Sequence, residues 1–133
     1  MLSNSPIILV VEDDEFIQDL IARYLSSLGV EIHFASDGIE GVRKYEELME
    51  NGKRPDIVIM DIGLPFKDGI EVTREIMKID RDAVIYGFTA FYGTEKAEAL
   101  LNEGAKAVIP RSVGFEKFRE IIREALFGKA IIH

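Results

Sequence analysis

Charged and hydroxyl side chains fall at the points where apolar runs of this chain stop. Glu12-Asp13-Asp14 follows Ile7-Ile8-Leu9-Val10-Val11, and Asp61 follows Ile57-Val58-Ile59-Met60. Thr89 closes a third run and Arg111 lies just past a fourth. A carboxylate at the edge of a buried run is costly without a partner. Several brought together repel, raise one another's pKa values and destabilise the fold unless a cation sits among them. A hard divalent ion with oxygen ligands resolves that conflict, Mg²⁺ above all, with Mn²⁺ able to substitute. Each residue also has an ordinary alternative. Acids suit the positive end of a helix, so Glu12-Asp13-Asp14 can be a solvated helix start, and Thr89 can be a plain β-branched strand residue.

The elements that must position these groups alternate. Ile7 to Val11 is apolar throughout, as a strand buried on both faces should be. Ile17, Leu20, Ile21, Tyr24 and Leu28 then recur at helical spacing, and Gly29 stands where a left-handed cap belongs. Glu31 to Ala35 reads as a second strand. Asp37 with Glu40, and Asp68 with Glu71, have capping-box spacing and open two further helices around the third strand, Ile57 to Met60. Ala83 to Phe88 reads as strand, Thr94 to Asn102 as helix and Ala107 to Ile109 as a brief strand. A last helix carries Phe115, Phe118, Ile122 and Leu126 on one face before Gly128.

Five strands alternating with five helices imply an α/β fold with a doubly wound parallel sheet, because parallel strands need right-handed crossovers. Ligands in such sheets sit at the carboxyl ends of the strands, near the reversal of strand order. That is where Glu12, Asp13, Asp14, Asp61, Thr89 and Arg111 fall.

Composition narrows the field. The 133 residues suffice for one domain with a single well-packed architecture. Acidic residues outnumber basic ones 24 to 16, a net charge of -8, which disfavours direct nucleic-acid binding. The absence of cysteine removes disulfides and thiolate metal sites. The apolar run at Ile7 is too short to span a bilayer and lacks the features of a signal peptide, so a cytoplasmic protein without membrane insertion is expected. His33 and His133 read as a strand residue and a loose end. Ala130-Ile131-Ile132-His133 reads equally as a docked terminus or as the start of a further segment.

Taken in order, the segments Ile8 to Asp14, Pro55 to Pro65, Asp68-Gly69, Phe88-Thr89-Ala90 and Gly104-Ala105 resemble the signature segments of response-regulator receiver domains. The likeness is collinear over about residues 6 to 127 and implies a flavodoxin-like five-stranded sheet of order 2-1-3-4-5. It implies that Asp61 is the phosphoacceptor, Asp13 a direct Mg²⁺ ligand and Glu12 an acid holding the ion through water. Gly63 would add its backbone carbonyl, and Thr89 would bond a phosphoryl oxygen. Asp14, Ala90, Phe91 and Val108 would be accessory, with Phe91 flanking the path of attacking water. Two positions depart from the family: Arg111, followed by Ser112, stands for the lysine-proline pair, and Val108 for the aromatic. The bond before Ser112 is expected to be trans, since cis there costs about 2.5 to 4 kcal/mol. Arg111 is expected to turn inward toward the carboxylates.

The resemblance further implies a histidine kinase or histidine phosphotransfer protein as phosphodonor. A downstream protein would read the face made by the fourth helix, fifth strand and fifth helix. Such a domain is an autocatalytic acceptor with self-dephosphorylation, not a turnover enzyme. Two rivals remain, a degenerate receiver that binds proteins without phosphorylation and a Mg²⁺-dependent aspartyl phosphohydrolase. The hydrolase would place a second aspartate where Gly63 stands.

Overall fold

The computed structural model describes residues 5–129, so Ala130 to His133 lie outside the described residues. The first strand, β1 (Ile7–Val11), leads into α1 (Glu15–Leu25), then β2 (Glu31–Ala35), α2 (Gly38–Glu50) and β3 (Ile57–Met60). After these come α3 (Gly69–Ile79), β4 (Ile85–Thr89), α4 (Glu95–Asn102), β5 (Ala107–Pro110) and α5 (Phe115–Phe127). All pairings are parallel and the strand order is β2-β1-β3-β4-β5. The doubly wound parallel sheet expected from the alternation is therefore present, in the flavodoxin-like order that the resemblance implied.

The apolar runs follow from burial on both faces. Ile8, Val10, Ile57, Ile59, Phe88 and Ile109 meet Ile21 and Leu25 of α1 and Phe118 and Ile122 of α5. The alternate residues Leu9, Val11, Val58, Met60 and Ile85 meet Tyr45, Leu48, Val72, Ile76 and Leu100 of the other three helices. Period-2 side chains sort into two cores, so no position of β3, or of β1 after the partly buried Ile7, is free to be polar. On the first face Phe88 stacks on Phe118 with ring centroids 4.1 Å apart, and Phe115 meets Phe88 edge-on.

Local signals set most of the boundaries. Asp37 Oδ1 accepts from Glu40 N at 2.8 Å and Asp68 Oδ1 from Glu71 N at 3.0 Å, as capping geometry requires. Glu40 closes its box one residue early, accepting from Ser36 N instead of the cap's own N–H. α1 stops at Leu25, short of Leu28, because Ser26–Leu28 tightens into a 3₁₀ turn before Gly29 takes φ 70°. β4 starts at Ile85 rather than Ala83. The Ala83 N–H is committed to a turn, donating to the Asp80 carbonyl.

That turn is pinned by a small polar network. Asp80 Oδ2 accepts from Tyr45 Oη and Arg54 Nε, both at 2.6 Å. The Arg54 hydrogen bond, ahead of that from Tyr45, pulls the Asp80 carboxyl down to about 2 despite burial. Stabilisation from a lowered carboxylate pKa is present above the unfolded value, about 4, and is lost as pH falls through the folded value. Arg54 is half-exposed, so screening limits its share. Asp80→Asn should therefore cost about 1–2 kcal/mol at pH 7 by urea denaturation. The gap to the parent protein should narrow steadily between pH 4 and pH 2.

Candidate functional site

β1 and β3 are neighbours in the sheet, so the residues just past their ends, Glu12 and Asp61, emerge side by side. Backbone bonds extend the pairing past the strands: Glu12 N donates to the Ala35 carbonyl at 3.0 Å and Asp61 N to the Val11 carbonyl at 3.1 Å. Glu12, Asp13 and Asp61 each present a carboxylate oxygen, all within 4.8 Å of one another. Their burial is graded. Glu12 is only 2% exposed, Asp61 is partly buried and Asp13 is open to solvent. This donor set is all oxygen and all carboxylate, which suits a hard ion such as Mg²⁺ and offers none of the nitrogen or sulfur favoured by zinc or copper.

Burial raises the Glu12 carboxyl to about 7, with the Asp61 charge adding to the rise. The Asp14 N–H and the Arg111 guanidinium pull it the other way. Both Glu12 oxygens are held: Oε2 accepts from Asp14 N at 2.9 Å and Oε1 from Arg111 Nη2. Asp14 stays out of the acidic group and caps α1, its Oδ1 accepting from Phe16 N at 2.8 Å. The helix-start alternative thus describes Asp14, while Glu12 and Asp13 turn toward Asp61.

The fifth strand delivers Arg111. Pro110 leads into a single 3₁₀ turn, Arg111–Val113, and no peptide bond among the described residues is cis, the one before Ser112 included. The guanidinium points inward. Besides Glu12, Nη2 donates to the Phe88 carbonyl at 3.1 Å and lies 3.7 Å from Asp61 Oδ1. The group also sits 5.2 Å from the centroid of the Phe88 ring.

The end of β4 supplies the hydroxyl. Thr89 is fully buried and its Oγ1 accepts from Phe91 N at 3.2 Å. Ala90 is exposed at the start of the loop to α4. The Phe91 ring lies against Gly63, where an added Cβ would come within 3.0 Å of Cε2, and Lys96 stands 5.0 Å over that ring. Val108 is partly buried in β5. Beside it a groove of about 530 Å³ runs between β5 and α4, with Tyr92, Ala97 and Leu101 in its walls.

Three contributors gave no sequence signal of their own. Gln18 Nε2 donates to the Glu12 carbonyl at 2.6 Å and ties α1 to the acidic loop, a pairing across six residues that no short motif announces. Phe66 holds a left-handed backbone with φ 68° and is 84% exposed in the loop after Asp61, a conformation that only a glycine would have advertised. Tyr92 reads as loop until the groove beside Val108 is seen.

Residues 8–123 match the response regulator receiver domain family, and the chain belongs to it. Phosphorylation with Mg²⁺ is the general property of that family. The chain is 35% identical over 104 residues to the chemotaxis protein CheY of Halobacterium salinarum, covering 78% of this chain and 82% of that one. It is 33% identical over 119 residues to the response regulator MprA of Mycobacterium sp. strain KMS, which covers 90% of this chain. The chain spans about half the length of that relative, 50%. It also superposes with a TM-score of 0.82 and 30% identity on a chain from the CheX–CheY–BeF3–Mg²⁺ crystal structure of Borrelia burgdorferi, covering 93% of this chain and 90% of that one.

One glycine is needed to close the site. Gly69 N donates to the Ile62 carbonyl at 2.9 Å, and a Cβ at Gly69 would stand 2.0 Å from the Asp61 carbonyl oxygen. That obstacle is backbone and cannot swing away. Gly69→Ala should lose more than about 2 kcal/mol of stability in urea denaturation. A loss below about 0.5 kcal/mol would mean that the Asp61 loop yields without cost.

Proposed function

We propose that Asp61 accepts a phosphoryl group from the phosphohistidine of a histidine kinase or histidine phosphotransfer protein, and that the adduct changes the face formed by α4, β5 and α5 for a downstream protein. The observation that carries this reading is the grouping of Glu12, Asp13 and Asp61 within 4.8 Å, with Arg111 3.7 Å from Asp61. Two of these acids, Glu12 and Asp13, would hold Mg²⁺ with Asp61 and the Gly63 carbonyl. The ion supplies positive charge that lets one anion approach another.

The chain's own residues do the rest. Ile62 N donates to Asp61 Oδ1 at 2.9 Å and fixes the carboxylate, leaving Oδ2 to attack phosphorus. As the O–P bond forms the P–N bond breaks, and the donor imidazole leaves with the bonding pair. Thr89 Oγ and the Arg111 guanidinium would receive the equatorial phosphoryl oxygens, where fixed donors stabilise developing charge. Asp61 becomes an acyl phosphate. Gly63 provides no general base for rapid hydrolysis, and the Phe91 ring over Gly63 screens one approach of water. The protein is then a timed acceptor rather than a turnover enzyme.

Output would be a shift between two populated states. Thr89 is bonded to the backbone of the loop that leads to α4, so moving its hydroxyl toward a phosphoryl oxygen disturbs that loop directly. Among the described residues no helix is long and apolar enough to cross a membrane. The acidic net charge supports a protein that does not bind nucleic acid directly.

Incubation with acetyl phosphate and Mg²⁺ should add one phosphoryl group by intact mass. The adduct should be absent in Asp61→Asn and in excess chelator. An adduct that persists in Asp61→Asn would place the acceptor elsewhere and overturn the reading.

A further inference from the structure

We propose that Asn51 is a site of spontaneous covalent modification: its side-chain amide is lost by cyclisation onto the Gly52 backbone nitrogen, and the ring opens to aspartate or isoaspartate. The turn that joins α2 to β3 thereby gains a negative charge with age. It precedes β3, whereas Asp61 follows that strand, so the proposal is independent of the acceptor chemistry.

The pairing of these two residues carries the chemistry. Asparagine is a thermolabile residue, and the backbone nitrogen that follows it is the nearest nucleophile. Gly52, at φ 73°, has no side chain to crowd that nitrogen, and an added Cβ would meet nothing within 4 Å. Both residues are exposed, on the wall of a groove of about 730 Å³ that admits water. The Gly52 nitrogen attacks Asn51 Cγ and yields its proton to a solvent base. The Cγ–Nδ2 bond breaks, and ammonia leaves with the bonding pair and a proton from water. Water then opens the cyclic imide at either carbonyl. Cleavage at the side-chain carbonyl leaves aspartate, and cleavage at the main-chain carbonyl leaves isoaspartate, with the chain running through the former side chain. Asn102 lacks this arrangement, being the last residue of α4 and followed by Glu103.

The fold sets the pace of the reaction. Asn51 caps the end of α2 with ψ 10°, and Gly52 N donates to the Met49 carbonyl at 3.1 Å. Ring closure needs that bond broken and ψ turned, so it proceeds through an open form of the last helical turn. Helix ends open at low cost. This one carries Glu47 and Glu50 and no basic residue in its last turn, which leaves its negative end unsupported. A carboxylate at position 51 adds to the same repulsion. It also stands two residues from Lys53, whose Nζ lies 3.0 Å from Glu31 Oε2, and competes with Glu31 for that charge.

Ageing the whole chain in warm, mildly alkaline buffer tests the proposal. Peptide mapping by mass spectrometry and labelling with an isoaspartate methyltransferase would follow the parent, the parent held in urea, and Asn51→Gln. The peptide spanning residue 51 should change from amide to acid and take up the methyl label, while that spanning Asn102 should not. In Asn51→Gln the same peptide should stay unchanged, because the ring it would need is larger. Conversion in the folded protein should be about tenfold slower than in urea, the scale of one backbone hydrogen bond. Asn51→Asp, which installs the new charge outright, should shift the Lys53 Nζ and Glu31 side-chain resonances. Asn51 left intact in the folded protein after the urea sample has fully converted would overturn the proposal. Equal rates in the two samples would overturn the part given to the α2 turn, and unmoved Lys53 and Glu31 resonances would overturn the competition for charge.

Discussion

The structure turns on carboxylates that converge where β1 and β3 end. A parallel sheet buried on both faces leaves only its strand ends for polar groups, and the neighbouring positions of β1 and β3 bring Glu12 and Asp61 together there. Glu12 is almost wholly buried, and burial lifts its carboxyl toward neutrality. Such a site must recruit positive charge. The fold supplies some of its own through the Asp14 N–H and Arg111, and the open Asp13 leaves room for more.

The same positive group joins the site to the core. Arg111 donates to the Phe88 carbonyl and lies over the Phe88 ring, and that ring stacks on Phe118 of α5. Thr89 is the next residue along. One short stretch of β4 therefore touches the acidic group through Arg111, the α4 loop through the Thr89 hydroxyl and α5 through an aromatic stack. Interiors packed this closely pass small displacements on rather than absorb them. A change at Asp61 thus has a direct physical route to the α4, β5 and α5 surface, although Val108 brings no large ring to it.

The elements were legible wherever sequence period and capping agreed. The wholly apolar β1 and β3 could only be strands buried on two faces, and Asp37 and Asp68 announced two helix starts that the backbone then used. Boundaries slipped where tertiary bonds outweighed local preference, as at Ala83, whose N–H serves the Asp80 turn, and at Ser26–Leu28, which tightened before Gly29. Within the site, Asp61 was legible because a carboxylate directly past a buried apolar run is costly without a partner, whereas Asp13 stood out only through the family resemblance, its side chain being open to solvent. The inward turn of Arg111 followed from charge attraction, but its choice of Glu12 did not. Partners 99 positions apart in the chain depend on the strand order and on the turn after Pro110. Gln18 and Phe66 were invisible for a similar reason, since one acts through a long-range bond and the other through a backbone conformation that its side chain does not encode.

The central claim is that Glu12, Asp13 and Asp61 form one cation-dependent group, and thermal unfolding against magnesium concentration tests it most directly. A ligand that binds only the folded protein stabilises it by about 2.7 kcal/mol at a hundredfold excess over its Kd. The melting temperature of the parent should climb with each increment of Mg²⁺, and that of Asp13→Asn should stay nearly flat over the same range. A parent melting temperature indifferent to Mg²⁺, or an equal climb in Asp13→Asn, would contradict the account.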